Sequence, residues 1–106
     1  VATDIAQLIV RIEGQIVQTI ALINPLVMIG RTPDNDLSLP HPLVARQHAE
    51  LRLGASGAIL TDLGSPSGIF IGGVRLLANQ PQVLLANAVF RIGPFEITYQ
   101  TASEAA

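Results

Sequence analysis

The residues whose types and spacing could do chemistry fall in two short stretches. The first runs from Ile29-Gly-Arg31 to Ala45-Arg-Gln-His48 and places two Arg and two His, His41 and His48, around a linker broken by Pro33, Pro40 and Pro42. The second, Asp62-Leu-Gly-Ser65-Pro-Ser67-Gly68, sets hydroxyls between glycines. A guanidinium is a planar fork of donors, so an Arg pair can grip one compact anion, a phosphate or a carboxylate. Other chemistries fit less well. Asp34-Asn-Asp36 begins like a calcium loop but lacks the Gly at its sixth position, the bidentate Glu at its twelfth and the flanking helices. His41 and His48 have no third soft ligand, so no structural zinc is expected. There is no Walker or dinucleotide glycine pattern, and Ser, His and Asp sit in no nucleophile elbow. The expectation is a chain with no metal, no cofactor and no catalytic residues.

The elements that must hold these stretches read as strands. Leu8, Val10 and Ile12 alternate with Ile9, Arg11 and Glu13, Gly14 breaks the pattern and Ile16-Val-Gln-Thr-Ile20 resumes it, which is a hairpin signature. Short strands follow at 26–29, 48–53, 58–63, 69–71 and 83–85. A last hairpin joins 89–92 to a strand with Phe95, Ile97 and Tyr99 on one face. Gly72-Gly73 is the strongest turn signal. Pro40 and Pro42 rule out helix around His41. No segment offers ten residues of helical period without Gly or Pro. About ten short strands at this spacing predict an all-β sandwich or barrel, with no internal repeat.

Composition narrows the partners. At 106 residues the chain fits one domain, and with 49% apolar residues but only 4% aromatic its core must be Ile, Leu and Val. Net charge is −2, and all six cations are Arg. A nucleic-acid surface usually shows a clustered basic excess, which is missing. No apolar run reaches the roughly 18 residues of a membrane span, so no membrane insertion is expected. The absence of Cys excludes disulfides and is compatible with a reducing, cytoplasmic setting. Thr101-Ala-Ser-Glu-Ala-Ala106 is small, polar and unpatterned, so residues 1–100 read as the domain and 101–106 as the start of a C-terminal linker.

Taken in order, Ile29-Gly-Arg31, Ala45-Arg-Gln-His48 leading a strand, Asp62-Leu-Gly-Ser65 with Ser67-Gly68, Gly72-Gly73-Val-Arg-Leu76 and Phe90-Arg-Ile-Gly93 resemble the forkhead-associated (FHA) domain over residues 8–99. The resemblance implies an antiparallel β-sandwich of about eleven short strands whose end loops hold phosphothreonine peptides, with nothing catalysed. It gives phosphopeptide contact to Arg31, Arg46, Ser65, Ser67 and Gly68, and structural support to Gly30, which lets the strand leave at a tight angle, and to His48, which braces the loops. Two positions depart from the family pattern. Ala45 stands where a serine hydroxyl meets the phosphate, and Ser67 stands where an Asn bonds the peptide main chain. One lost hydrogen bond to a charged group costs about 1.5 to 3 kcal/mol, so the implied phosphothreonine recognition is weakened.

Plainer readings stand beside these. Arg31 is either a ligand contact or a turn residue paired with Asp34 or Asp36, and Arg46 either a contact or a surface partner of Glu50. His41 reads as an exposed loop residue. Gly68 and Gly73 also answer to backbone geometry. The alternative function is a phosphate-independent docking or assembly domain: the run Ile69-Phe-Ile-Gly-Gly-Val-Arg-Leu-Leu77 would be a partner patch if exposed and ordinary core if buried. Low charge and high aliphatic content also permit self-association through an edge strand. A protein partner, phosphorylated or not, is the expectation in both cases.

Overall fold

Side-chain alternation becomes burial in the computed structural model, which describes residues 5–54 and 57–101. Eleven strands form: β1 Gln7–Ile12, β2 Gln15–Ala21, β3 Leu26–Gly30, β4 Leu37–Ser38, β5 Ala49–Gly54, β6 Gly57–Asp62, β7 Phe70–Ile71, β8 Val74–Arg75, β9 Gln82–Leu84, β10 Val89–Ile92 and β11 Phe95–Gln100. They make a six-stranded sheet in the order β2-β1-β11-β10-β7-β8 and a five-stranded sheet in the order β4-β3-β5-β6-β9. There is no helix among the described residues, so none can cross a membrane.

Each sheet turns one face inward. Leu8 and Val10 of β1, Phe90 and Ile92 of β10 and Ile97 of β11 meet Val27 and Ile29 of β3, Leu51 of β5 and Leu60 of β6 in one aliphatic core. The outward residues of the same strands are half-buried or exposed, as period two requires. Ile69 is fully buried, so the front of the 69–77 run is core, whereas Val74 and Leu77 are 67% and 68% exposed.

Two strands went unmarked in the sequence. β4 and β8 have two residues each, too few to carry a period. The β3–β4 pairing is also parallel, with Ile29 opposite Leu37, so the sandwich is antiparallel everywhere except at that contact. The linker expected at 101–106 lies, beyond Thr101, outside the described residues, as do residues 1–4.

Register positions the site. Ile29 pairs with Ala49 and Ala49 with Asp62, so the end of β3, the start of β5 and the end of β6 lie side by side. The three loops leaving there, residues 31–36, 39–48 and 63–69, cluster at one end of the sandwich.

Candidate functional site

The first loop is anchored by close approach. Gly30 is buried, and a Cβ there would lie 2.1 Å from the Arg46 carbonyl oxygen and 2.7 Å from Asn35 Nδ2. Its lack of a side chain lets the first two loops touch, which is a different reason from the exit angle expected. Buried Asn35 stitches the contact, its Nδ2 donating to Thr32 O at 2.9 Å, Thr32 Oγ1 at 3.0 Å and Arg46 O at 2.9 Å. Asn35 Oδ1 is buried without a partner among the described residues. The Thr32 hydroxyl donates to the Asp34 carboxylate.

His48 ties the second loop to the third. Fully buried, it accepts the Ala45 N–H at Nδ1 (3.0 Å) and donates from Nε2 to the Gly68 carbonyl (2.9 Å). An amide can only donate and a carbonyl only accept, so the ring is held as its Nε2–H tautomer.

The third loop is a closed turn built on Asp62. Its Oδ1 accepts from Gly64 N at 3.2 Å, Ser65 N at 3.0 Å and Ser65 Oγ at 2.8 Å. Ser65 Oγ in turn accepts the Gly68 N–H at 3.1 Å. Gly68 has φ +77, and a Cβ on it would stand 2.4 Å from Arg75 Nε. Arg75 lies over the turn, with Nη2 donating to Ser65 O at 3.2 Å and Pro66 O at 3.1 Å. The Ser65 hydroxyl and the Gly68 N–H are therefore engaged within the loop, while their carbonyls accept from Arg75 and His48. Asp62, Asn35 and Arg75 were not singled out in the sequence. Asp62 carried a legible signal, an acid three residues ahead of a Ser with Gly between, which is a turn-capping pattern. Arg75 carried none, because its reach depends on the β7–β8 hairpin folding back.

What these contacts leave open is a small exposed surface. The Arg31 N–H donates to Ala45 O at 2.9 Å, which sets the two residues side by side, and its guanidinium gives one N–H to Val44 O at 3.0 Å. The Arg46 side chain is exposed and makes no hydrogen bond or ion pair among the described residues. Arg31 pairs with neither Asp34 nor Asp36, and Glu50 pairs with Arg52 at 2.6 Å instead of Arg46. Ser67 Oγ donates to Leu43 O at 2.6 Å, joining the second and third loops near that surface. His41 is half-buried, not exposed: its ring stands edge-on to Phe95 at 6.0 Å, and Nδ1 accepts the Leu43 N–H at 3.1 Å. A cleft of about 570 Å³ beside the β7–β8 turn, lined by Phe70, Gly72, Gly73, Val89, Phe90, Arg91 and Glu96, includes none of these groups. No group of three or more potential metal ligands occurs among the described residues.

Thus two guanidiniums with free donors face solvent over a rigid three-loop frame, and the FHA domain family model matches residues 27–93, the span that builds it. The chain belongs to the FHA family. It is 32% identical over 81 residues to the glycogen accumulation regulator GarA of Mycolicibacterium smegmatis, covering 73% of this chain and 47% of that protein. It is 31% identical over 75 residues to the oxoglutarate dehydrogenase inhibitor of Corynebacterium efficiens, covering 71% and 51%. This FHA chain thus spans about half the length of these curated relatives. Among solved structures, EmbR of Mycobacterium tuberculosis in complex with a low affinity phosphopeptide superposes with a TM-score of 0.80 at 27% identity, over 92% of this chain and 24% of that one.

Proposed function

We propose that this FHA domain is a non-catalytic module that binds phosphothreonine peptides weakly, with Arg31 and Arg46 taking the phosphate. The observation that carries the reading is the exposed Arg46 guanidinium, without a hydrogen bond or ion pair among the described residues, one residue from the Ala45 carbonyl that takes the Arg31 N–H, on loops tied by His48. A dianionic phosphate offers acceptors only, so donors left free by the fold are what it needs. Ser67 contributes by turning its hydroxyl from Leu43 to the ligand. Ser65 and Gly68 contribute through the loop shape their mutual bond maintains. Ala45 offers no donor, which makes the grip weaker than a serine would. Support also comes from the phosphopeptide bound to EmbR. Phosphorylation draws on intracellular ATP, so a cytoplasmic setting goes with the reading.

A second reading, phosphate-independent docking, is favoured by Val74 and Leu77, 67% and 68% exposed beside the third loop's support. An NMR titration with a phosphothreonine peptide pool and its unphosphorylated counterpart separates the two. Phosphate-dependent shifts at Arg31, Arg46 and Ser67 support phosphopeptide binding. Equal shifts from both pools, centred on Val74 and Leu77, support docking instead. Self-association belongs to another surface, the β2 edge.

A further inference from the structure

Every open sheet has two edges, and natural proteins blunt them by keeping edge strands short or by placing Lys, Pro or inward charge on them. Three of the four edges here are blunted by brevity. β4 and β8 have two residues each, and β9 has three, preceded by Pro81 and with Gln82 Nε2 donating to the Val83 carbonyl at 3.3 Å. The fourth, β2, is different. It runs seven residues, Gln15-Ile-Val-Gln-Thr-Ile-Ala21, with no Pro, no Gly and no charge, and pairs on one side only, with β1. Its one irregularity is a bulge near its start, where the register shifts between Val10 and Arg11; Gln18–Ala21 beyond it pair regularly with β1, and Ile16 and Val17 at the bulge are 59% and 53% exposed. Ile23, just beyond the strand, is 73% exposed.

We infer that β2 is a pairing edge for a second copy of this chain, the two strands meeting antiparallel about a two-fold axis and joining their six-stranded sheets. Charge points to a like partner. From Gly14 to Gly30 no residue is ionisable, so two copies bring no like charges together and strip no charge of water, although each chain carries a net −2 elsewhere. The geometry points the same way. An antiparallel edge exposes alternating N–H and C=O groups that are complementary to a rotated copy of themselves, and a two-fold contact closes where a head-to-tail one would propagate. Thr and β-branched residues opposite one another add favourable cross-strand pairs. The contact lies along the sandwich side away from β8 and β9, where Gln18 Nε2 of β2 donates to Ser38 O of β4 at 3.1 Å.

Sedimentation velocity of the chain over a roughly hundredfold range of concentration tests this, since a dimer's population must follow mass action. The expected result is a mass rising from one chain to two, with amide exchange slowing along β2. Thr19→Lys places a charge on an exposed edge position and is expected to hold the protein at one chain throughout, while its circular dichroism and melting temperature stay those of the parent. Leu85→Lys, on the 75%-exposed residue after β9, is expected to leave dimerisation intact. A single-chain mass at every concentration would overturn the inference. So would a dimer that survives Thr19→Lys or is abolished by Leu85→Lys.

Discussion

The loop end of this domain divides into a brace and, in the proposed reading, a grip, and the two differ in how completely their polar groups are satisfied. In the brace, His48, Asp62 and Ser65 are buried and hydrogen-bonded to loop main chain. In the grip, Arg31 and Arg46 are exposed, and most of their donors point at no protein acceptor. A buried donor or acceptor that loses its partner costs its full desolvation, whereas an exposed guanidinium bonds to water at little cost. The brace therefore stabilises the fold and preorganises the surface. The grip contributes almost nothing to folding and is available to a ligand. Substitutions in the two regions should separate on two axes, stability and affinity.

The largest effect is expected at His48. Replacing it with Ala strands the Ala45 N–H and the Gly68 carbonyl and opens a cavity, for a loss of about 3 to 5 kcal/mol in urea denaturation. Phosphopeptide affinity should fall with it, because two loops lose their common tie. If His48→Ala unfolded at the parent's midpoint, the brace would be a fiction of geometry. Arg46→Ala comes next and moves the other axis. Affinity for a phosphothreonine peptide should fall about 10- to 100-fold, with stability within about 0.5 kcal/mol of the parent. A comparable loss of stability would show that Arg46 belongs to the brace. Ala45→Ser sharpens the comparison from the opposite direction. A new hydroxyl at a half-buried position beside Arg31 adds a donor for the phosphate without touching the brace, since it is the Ala45 N–H that His48 holds. Calorimetric affinity should rise by about tenfold, near 1.5 kcal/mol. An unchanged affinity would mean the ligand does not pass over residue 45.

The same division explains what the sequence made legible. Strands β1, β2, β5, β6, β10 and β11 have four to seven residues, enough for period two to show, and their pairing follows from it. β4 and β8 pair with β3 and β7 over two residues each, too few to carry a pattern of their own. Within the site, the Arg residues stood out because a chain with so few charges makes each one visible. The brace was only half legible. His48 announced itself by heading an alternating strand, but Asn35 looked like one more turn residue in Pro33-Asp-Asn-Asp36, and its function depends on Gly30 admitting the Arg46 carbonyl from a loop eleven residues away. Tertiary closeness of that kind leaves little trace in local composition. His41 misled for a related reason: its flanking prolines argue for a loop, which is right, but not for exposure, which Phe95 removes.

Asp34 offers the smallest and most discriminating probe, because it is an exposed carboxylate at the border of brace and grip. Its pKa is held below the ordinary value, first by the Thr32 hydroxyl, then by its own main-chain N–H and, less, by the positive charge of Arg46. A depressed carboxyl pKa stabilises the folded state above the unfolded value, and that contribution is lost as pH falls through the folded value. Asp34 thus stays ionised through the neutral range and titrates only in acid. A phosphate ester instead changes from dianion to monoanion near pH 6, so phosphopeptide affinity should weaken there while Asp34 remains charged. Side-chain carboxyl NMR should find the two midpoints well apart. Thr32→Val should raise the Asp34 midpoint toward the ordinary range by more than Arg46→Ala does. The reverse order would place Asp34 in the grip, as an internal anion competing for Arg46, and would make Asp34→Asn the variant expected to tighten phosphopeptide binding.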